Sequence, residues 1–261
     1  MNLDLSHKTA LVCGSTQGIG LASAREIASL GANVVLMARN LEKLKEAMSS
    51  LDTSRGQHHQ YLVADYAHSQ EVEKVIQLFA MSNHVNILVN NTGGPAPGLA
   101  IDADIEAFRI AFNAHLINNQ ILTRALVPGM KASGYGRIIN VISTSVKQPL
   151  PNLGVSNTIR GAVANWAKTL AYELGKFNIT VNNVLPGATE TGRLEQIMKN
   201  KADKSGTTAE NVKHEMSEEV PMKRLAQPEE IANVIAFLAS PAASYINGIN
   251  LPVDGGRTGC L

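Results

Sequence analysis

Cysteine is nearly absent: the 261 residues include two, Cys13 and Cys260. A disulfide framework is thereby excluded, and two free thiols are expected, one in a buried strand and one beside the C-terminus. Charge of one sign is also missing, since 23 Lys and Arg face 22 Asp and Glu for a formal net charge of +1. Without a basic field the chain has little to offer a polyanion, so no nucleic-acid partner is expected. No apolar run approaches the roughly 18 residues of a membrane span, and the stretch around Asp4, His7 and Lys8 has no signal-like apolar core. No membrane contact and a cytoplasmic location follow as expectations. Linkers, repeats and low-complexity segments are lacking too, which predicts one domain over 1–261. No metal is expected at its site.

What is present starts at residues 8 to 20, where the apolar run Thr9 to Cys13 breaks into glycines and then into helical spacing through Leu21, Ala24, Ile27 and Leu30. The pattern is a strand, a tight turn and a helix N-terminus, whose first N–H groups lack intrahelical partners and favour a phosphate. Gly14, Gly18 and Gly20, spaced G-x-x-x-G-x-G, allow close approach of the backbone, and Ser15, Thr16, Gln17 and Ile19 complete the turn.

Strand-like and helix-like patterns then alternate to the end of the chain. They predict an α/β fold, a single Rossmann-type doubly wound domain of about seven parallel strands with helices on both faces. Strands are expected at 33–38, 59–64, 87–89, 137–142, 179–185 and 248–253. Helices are expected at 41–51, 69–81, 105–130, 157–174 and 228–238. Residues 190–216, polar and without a strand pattern, are expected to form a helical substrate lid. Ligands in such sheets bind at the carboxyl ends of the strands, which would bring the glycine turns and Ser143 to one crevice.

Over nearly its whole length the chain resembles the short-chain dehydrogenase/reductase family. The resemblance is carried by the turn Gly14 to Gly20, Asp65, Asn90-Asn91-Thr92-Gly93, Asn113, the run Gly136 to Ser143, the run Val181 to Gly187, and Val253-Asp254-Gly255-Gly256. Within the family it resembles bacterial 3-oxoacyl-carrier-protein reductases. The resemblance implies hydride transfer between a nicotinamide and a small-molecule carbonyl or alcohol, in a homotetramer. It implies that Asp65, with its neighbour Tyr66, meets the adenine, although Asp65 also reads as a loop cap. Asn91 and Gly93 would approach the adenosine ribose, and Pro186, Gly187, Thr189 and Thr191 would hold the nicotinamide carboxamide. The end of the second strand carries Ala38 and then Arg39 where an acid would select NAD, so NADP is expected over NAD.

The chain departs from the family at its catalytic centre. The family's Tyr, thirteen residues after the catalytic Ser, falls on Ser156, and its Lys falls on Arg160. A serine hydroxyl is a far weaker acid than a phenol, and a guanidinium keeps its proton. Two readings follow. In the first, Ser143 polarises the carbonyl, Asn113 holds a water chain, Ser156 or water relays the proton, and Arg160 fixes the ribose and stabilises the alkoxide. In the second, the chain binds the nucleotide without turnover, as a sensor or scaffold. Apolar positions beyond the needs of one sheet face, Phe108, Phe112, Leu116 and Trp166, suit an oligomer.

Overall fold

Apolar β-branched runs bounded by glycine and polar turns give seven strands, and the computed structural model describes residues 1–260. They are β1 (Thr9–Cys13), β2 (Asn33–Ala38), β3 (Gln60–Val63), β4 (Ile87–Asn90), β5 (Gly136–Val141), β6 (Ile179–Pro186) and β7 (Asn250–Val253). Every pairing is parallel, in the order β3-β2-β1-β4-β5-β6-β7. Strand order reverses between β1 and β4, which opens a crevice at their carboxyl ends.

The helices are α1 (Gly18–Ser29), α2 (Leu41–Ser49), α3 (Ser69–Ala80), α4 (Ile105–Phe112), α5 (Asn118–Ser133), α6 (Gly154–Leu174), α7 (Gly192–Ser205), α8 (Ala209–Glu218) and α9 (Pro228–Ala239). Successive side chains of β1 point to opposite faces. Val12 joins Ile27, Leu36, Leu44 and Ile235 in a core under α1, α2 and α9, and Leu11 joins Met37, Ile76, Leu122 and Ala171 in a second core under α3, α5 and α6. Both faces are therefore covered, as a parallel sheet requires.

An asparagine ladder crosses four strands, from the carboxyl end of β4 to the amino end of β7. Asn90 donates to Asn140 (2.8 Å), Asn140 to Asn183 (2.9 Å) and Asn183 to Asn250 (2.8 Å), each pair in register. Each amide in the ladder finds at least one partner, and Asn90 Oδ1 is its one buried atom left without one among the described residues. The ladder fixes how β4, β5 and β6 present the loops that follow them.

Three boundaries differ from the expected ones. The helix expected at 105–130 is two helices joined by a π-helical turn, Asn113–Ile117, and it runs on through Pro128 to Ser133. The helix expected from Asn157 begins at Gly154, where a Cβ would lie 2.4 Å from the Ala100 nitrogen, so only glycine lets α6 start so close to the preceding loop. β7 begins at Asn250 rather than Gly248, whose φ of +74° is incompatible with a strand. Residues 190–216 contain α7 and the start of α8, a helical pair with its own small core of Leu194, Met198, Ala202, Val212 and Leu225. No helix of the described residues is long and apolar enough to cross a membrane. Cys13 is buried and Cys260 exposed, and both are free.

Candidate active site

The glycine turn lies at the β1 end of the crevice, and its shape is set by contacts within the protein. Gly14 (φ +58°) and Gly18 (φ +55°) take left-handed backbone, and a Cβ on Gly20 would fall 2.2 Å from the Gly14 carbonyl oxygen. The turn delivers α1 without a side-chain cap from Gln17 and without an acid in its first turn. Caps from Asn40, Asp104, Thr191 and Thr208 begin α2, α4, α7 and α8, whereas α1 shares its lack of cap and acid with α6. The first donors of α1 are thus left open to an anion. Thr16 faces a cavity of about 470 Å³ between α1 and α2, beside Arg25 and Lys43. Gln17 is exposed, and Ile19 packs on the core under α1.

Several side chains expected to face a cofactor serve the turn instead. Ser15 is fully buried and accepts a hydrogen bond from the Met37 N–H (3.0 Å), pinning the turn to β2. Asn91 donates to the carbonyls of Cys13 and Gly14, at 3.2 and 3.3 Å, and so ties β4 to the turn. Tyr66 departs most clearly from expectation. Its hydroxyl turns into the core, donating to Met37 Sδ (3.7 Å), and its carbonyl accepts from Asn118 Nδ2 (2.8 Å), so its backbone N–H alone remains for a ligand. Asp65 does cap its loop, accepting from the Ala67 N–H through Oδ1 (3.0 Å), while Oδ2 stays free. Arg39 is exposed at the end of β2 and makes no ion pair among the described residues.

At the other wall, Pro186 closes β6, and a Cβ on Gly187 would come within 2.8 Å of the Asp254 backbone. Thr189 is buried and donates to the Gly187 carbonyl (3.0 Å). Thr191 caps α7, and its methyl would touch a Cβ on Gly18 at 3.0 Å, which sets the start of α7 against the glycine turn. Gly93 is exposed beside the Arg193 guanidinium.

The catalytic positions converge at the end of β5. Ser143 is half-buried and accepts from the Ser145 N–H (3.1 Å), leaving its own hydroxyl proton available. Arg160, 7% exposed, reaches back one helical turn beyond Ser156 and donates to the Val141 carbonyl (3.0 Å), two residues before Ser143. Ser156, half-buried, lies on the same face of α6 and has no hydrogen-bond partner among the described residues. Burial, and then the charge of Arg193, pulls the Arg160 guanidinium down to about 10, still protonated at neutral pH.

Asn113 is a correction. It is exposed at the start of the π-turn and makes no side-chain hydrogen bond among the described residues. The residue this segment turns inward is His115, 2% exposed, whose Nδ1 shares a 2.5 Å hydrogen bond with the Thr92 hydroxyl. Asn113 was expected from the family resemblance, whereas the buried register of this segment falls on His115, two residues on, within the π-turn. Burial, then the charges of Arg160 and Arg193, holds the imidazole neutral, with a pKa down to about 2.

No phenol substitutes for the family's Tyr. Tyr66 points into the core, Tyr135 donates to the Ala239 carbonyl (2.6 Å), Tyr61 packs on the core under α1 and α2, and Tyr172 and Tyr245 are exposed. Sequence reasoning missed His115, Thr92 and Arg193. Two signals mark them. His115 shares with Ala111, Asn118 and Leu122 the core-facing register of the α4–α5 segment, and Arg193 stands in the first turn of α7, where the helix dipole disfavours a cation.

A doubly wound sheet with an open glycine turn at its switch point defines a dinucleotide-binding protein. The family model described as Enoyl-(Acyl carrier protein) reductase matches residues 14–258. The 3-oxoacyl-[acyl-carrier-protein] reductase FabG of Rickettsia bellii is 34% identical over 97% of this chain and 98% of its own. The NADPH-dependent reductase BacG of Bacillus subtilis is 29% identical over 97% and 98%. The structure of L-sorbose reductase from Gluconobacter frateurii, complexed with NADPH and L-sorbose, superposes with a TM-score of 0.93 at 35% identity, covering all of both chains. The chain belongs to the short-chain dehydrogenase/reductase family, whose members are NAD(P)-dependent oxidoreductases.

Proposed function

We propose that the chain is an NADP(H)-dependent oxidoreductase that interconverts a carbonyl and an alcohol without a tyrosine acid. The observation that carries this reading is the uncapped, acid-free N-terminus of α1 at the switch point, with the unpaired Arg39 at the end of the neighbouring strand. The residues present fit the cofactor. The α1 turn would hold the pyrophosphate, Asp65 Oδ2 and the Tyr66 N–H the adenine, Arg39 the 2'-phosphate, and the Pro186 to Thr191 segment the carboxamide. The NADPH-dependent and NADPH-bound relatives support the choice of NADP.

When bound, the nicotinamide supplies or accepts the hydride. Ser143 donates its hydroxyl proton in a hydrogen bond to the carbonyl oxygen, since its lone pair is already engaged by the Ser145 N–H. Arg160 places a fixed positive charge where alkoxide develops. Ser156, unpaired one turn away, is the side chain placed to pass a proton inward from water. His115, neutral and bonded to Thr92, holds the position of the expected Asn113 water chain.

A 3-oxoacyl compound is the first carbonyl class to examine, given the FabG relative. The free thiols suit the reducing cytoplasm. A homotetramer remains our reading of assembly, resting on family membership and on exposed Ile105, Ile110 and Phe112 of α4; Phe108, Leu116 and Trp166 are partly buried within the chain itself. Light scattering at micromolar concentration should give four chains, and a monomer would refute it.

The test of function is a fluorescence titration with NADPH and NADH, followed by NADPH oxidation against a carbonyl panel. Tight NADPH binding with turnover is expected. Binding without turnover of any ketone, 3-oxo thioester or oxo acid would replace this reading with the sensor.

A further inference from the structure

Arg160 and Arg193 come from different elements and meet at one point. A Cβ placed on Gly94 would lie 3.6 Å from Arg160 Nη2 and 3.3 Å from Arg193 Nη2, so both guanidiniums aim at the space that this glycine leaves empty. Each is anchored by one backbone carbonyl, Arg160 on Val141 (3.0 Å) and Arg193 on Pro95 (3.0 Å). Neither forms an ion pair among the described residues, and the electrostatic neighbours of Arg160 and of His115 are arginines only. Arg160 is also more than nine-tenths buried, with its Nε unpartnered. Arg160 is buried while Arg193 is exposed at the crevice mouth, so their like charges repel and the buried one gains most from an arriving anion. Planar guanidinium forks match the two oxygens of a carboxylate.

We propose that Arg160 and Arg193 form an oxyanion site for a carboxylate on the substrate itself, which makes the substrate class an oxo acid or hydroxy acid rather than a neutral ketone, sugar or thioester. This deepens the oxidoreductase reading and rests on it for the reacting carbonyl. Arg160 is held on the Val141 carbonyl, two residues before Ser143, and Arg193 stands in the first turn of α7, so a substrate carboxylate between them would put its carbonyl on the Ser143 side. Arg193, carried on the α7–α8 pair, couples substrate charge to the seating of that pair over the crevice. The shared chemistry with phosphate is explicit, because the cofactor's own phosphates are a rival source.

Calorimetry on the intact protein, with and without saturating NADPH, separates the sources, using acetoacetate, its methyl ester and inorganic phosphate as probes. Acetoacetate should bind the NADPH complex roughly ten- to a hundredfold more tightly than the ester, the worth of charged hydrogen bonds. R193Q keeps a donor for the Pro95 carbonyl and should erase that difference while leaving NADPH affinity within about twofold, and R193K should restore part of it. Equal binding of acid and ester, no binding of either, phosphate binding without acetoacetate, or R193Q weakening NADPH as much as acetoacetate would each overturn the proposal. Failure of the oxidoreductase reading looks different: acetoacetate would bind in an Arg193-dependent way while NADPH did not bind at all.

Discussion

Strand β5 has a buried arginine at each end, and the two are treated in opposite ways. Arg137, 1% exposed at the amino end, donates to the carbonyls of Gly136 (2.8 Å) and Asn178 (3.3 Å) and stacks 4.2 Å from the Tyr135 ring. Its charge is spread over oxygens and a π-face that the fold supplies. Arg160, at the carboxyl end, has one carbonyl and faces another arginine and a neutral histidine. The amino end holds its arginine on two carbonyls and a ring that the fold supplies, with only Nε unpartnered. The carboxyl end holds cations, Arg39, Arg160 and Arg193, that lack a carboxylate among the described residues, as a site for anionic ligands should.

The largest test of this contrast restores the family's acid. Ser156→Tyr with Arg160→Lys, assayed by NADPH oxidation against a ketone panel, should raise reduction on the order of a hundredfold, the usual worth of a placed general acid. Ser156→Tyr alone should gain less, because Arg160 keeps its proton. A slower double variant beside a brisk wild type would mean that the serine and arginine already form a working relay.

Next in size is the outermost cation. Arg39→Ala should weaken NADPH by roughly 1.5 to 3 kcal/mol and leave NADH unchanged in fluorescence titrations, because the contact is made to the extra phosphate alone. Equal weakening of both would return Arg39 to the solvated surface.

The smallest effect is on pH-dependent stability. His115 stays neutral in the fold, with its pKa near 2, while the unfolded chain takes up a proton around 6.5. The unfolded state therefore binds more protons between those values, so stability is full above about pH 6.5 and falls on acidification. Urea melts should show wild type losing about 2 kcal/mol relative to His115→Asn by pH 5. Parallel curves for the two proteins would show that burial, with the charges of Arg160 and Arg193, does not hold the imidazole neutral.

The strands and the glycine turn were far more legible in the sequence than the side-chain arrangement around Arg160. Alternating runs such as Thr9 to Cys13 and Ile179 to Leu185 announce strands because a sheet covered on both faces needs continuous apolar segments, and six strands fall within a residue or so of expectation. The open turn at Gly14 to Gly20 was equally plain. Asn113 came from the family resemblance, while the buried positions Ala111, His115, Asn118 and Leu122 put His115 on the inward face. Ser15 and Asn91 look like ligand residues but hold the turn together, a distinction that needs coordinates. Arg193 meets Arg160 across 33 positions of sequence, and only the folded α7 brings them to Gly94.

The most direct measurement compares Arg137→Met and Arg160→Met in parallel, by urea denaturation and by acetoacetate binding to the NADPH complex. Arg137→Met should lose roughly 1.5 to 3 kcal/mol of stability as its charged hydrogen bonds go, with binding intact. Arg160→Met should stay within about 1 kcal/mol of wild type, since removing one of two facing charges offsets the lost bond, yet lose most acid binding. Equal destabilisation by both, with acetoacetate binding retained in Arg160→Met, would contradict the assignment of one end to structure and the other to ligand.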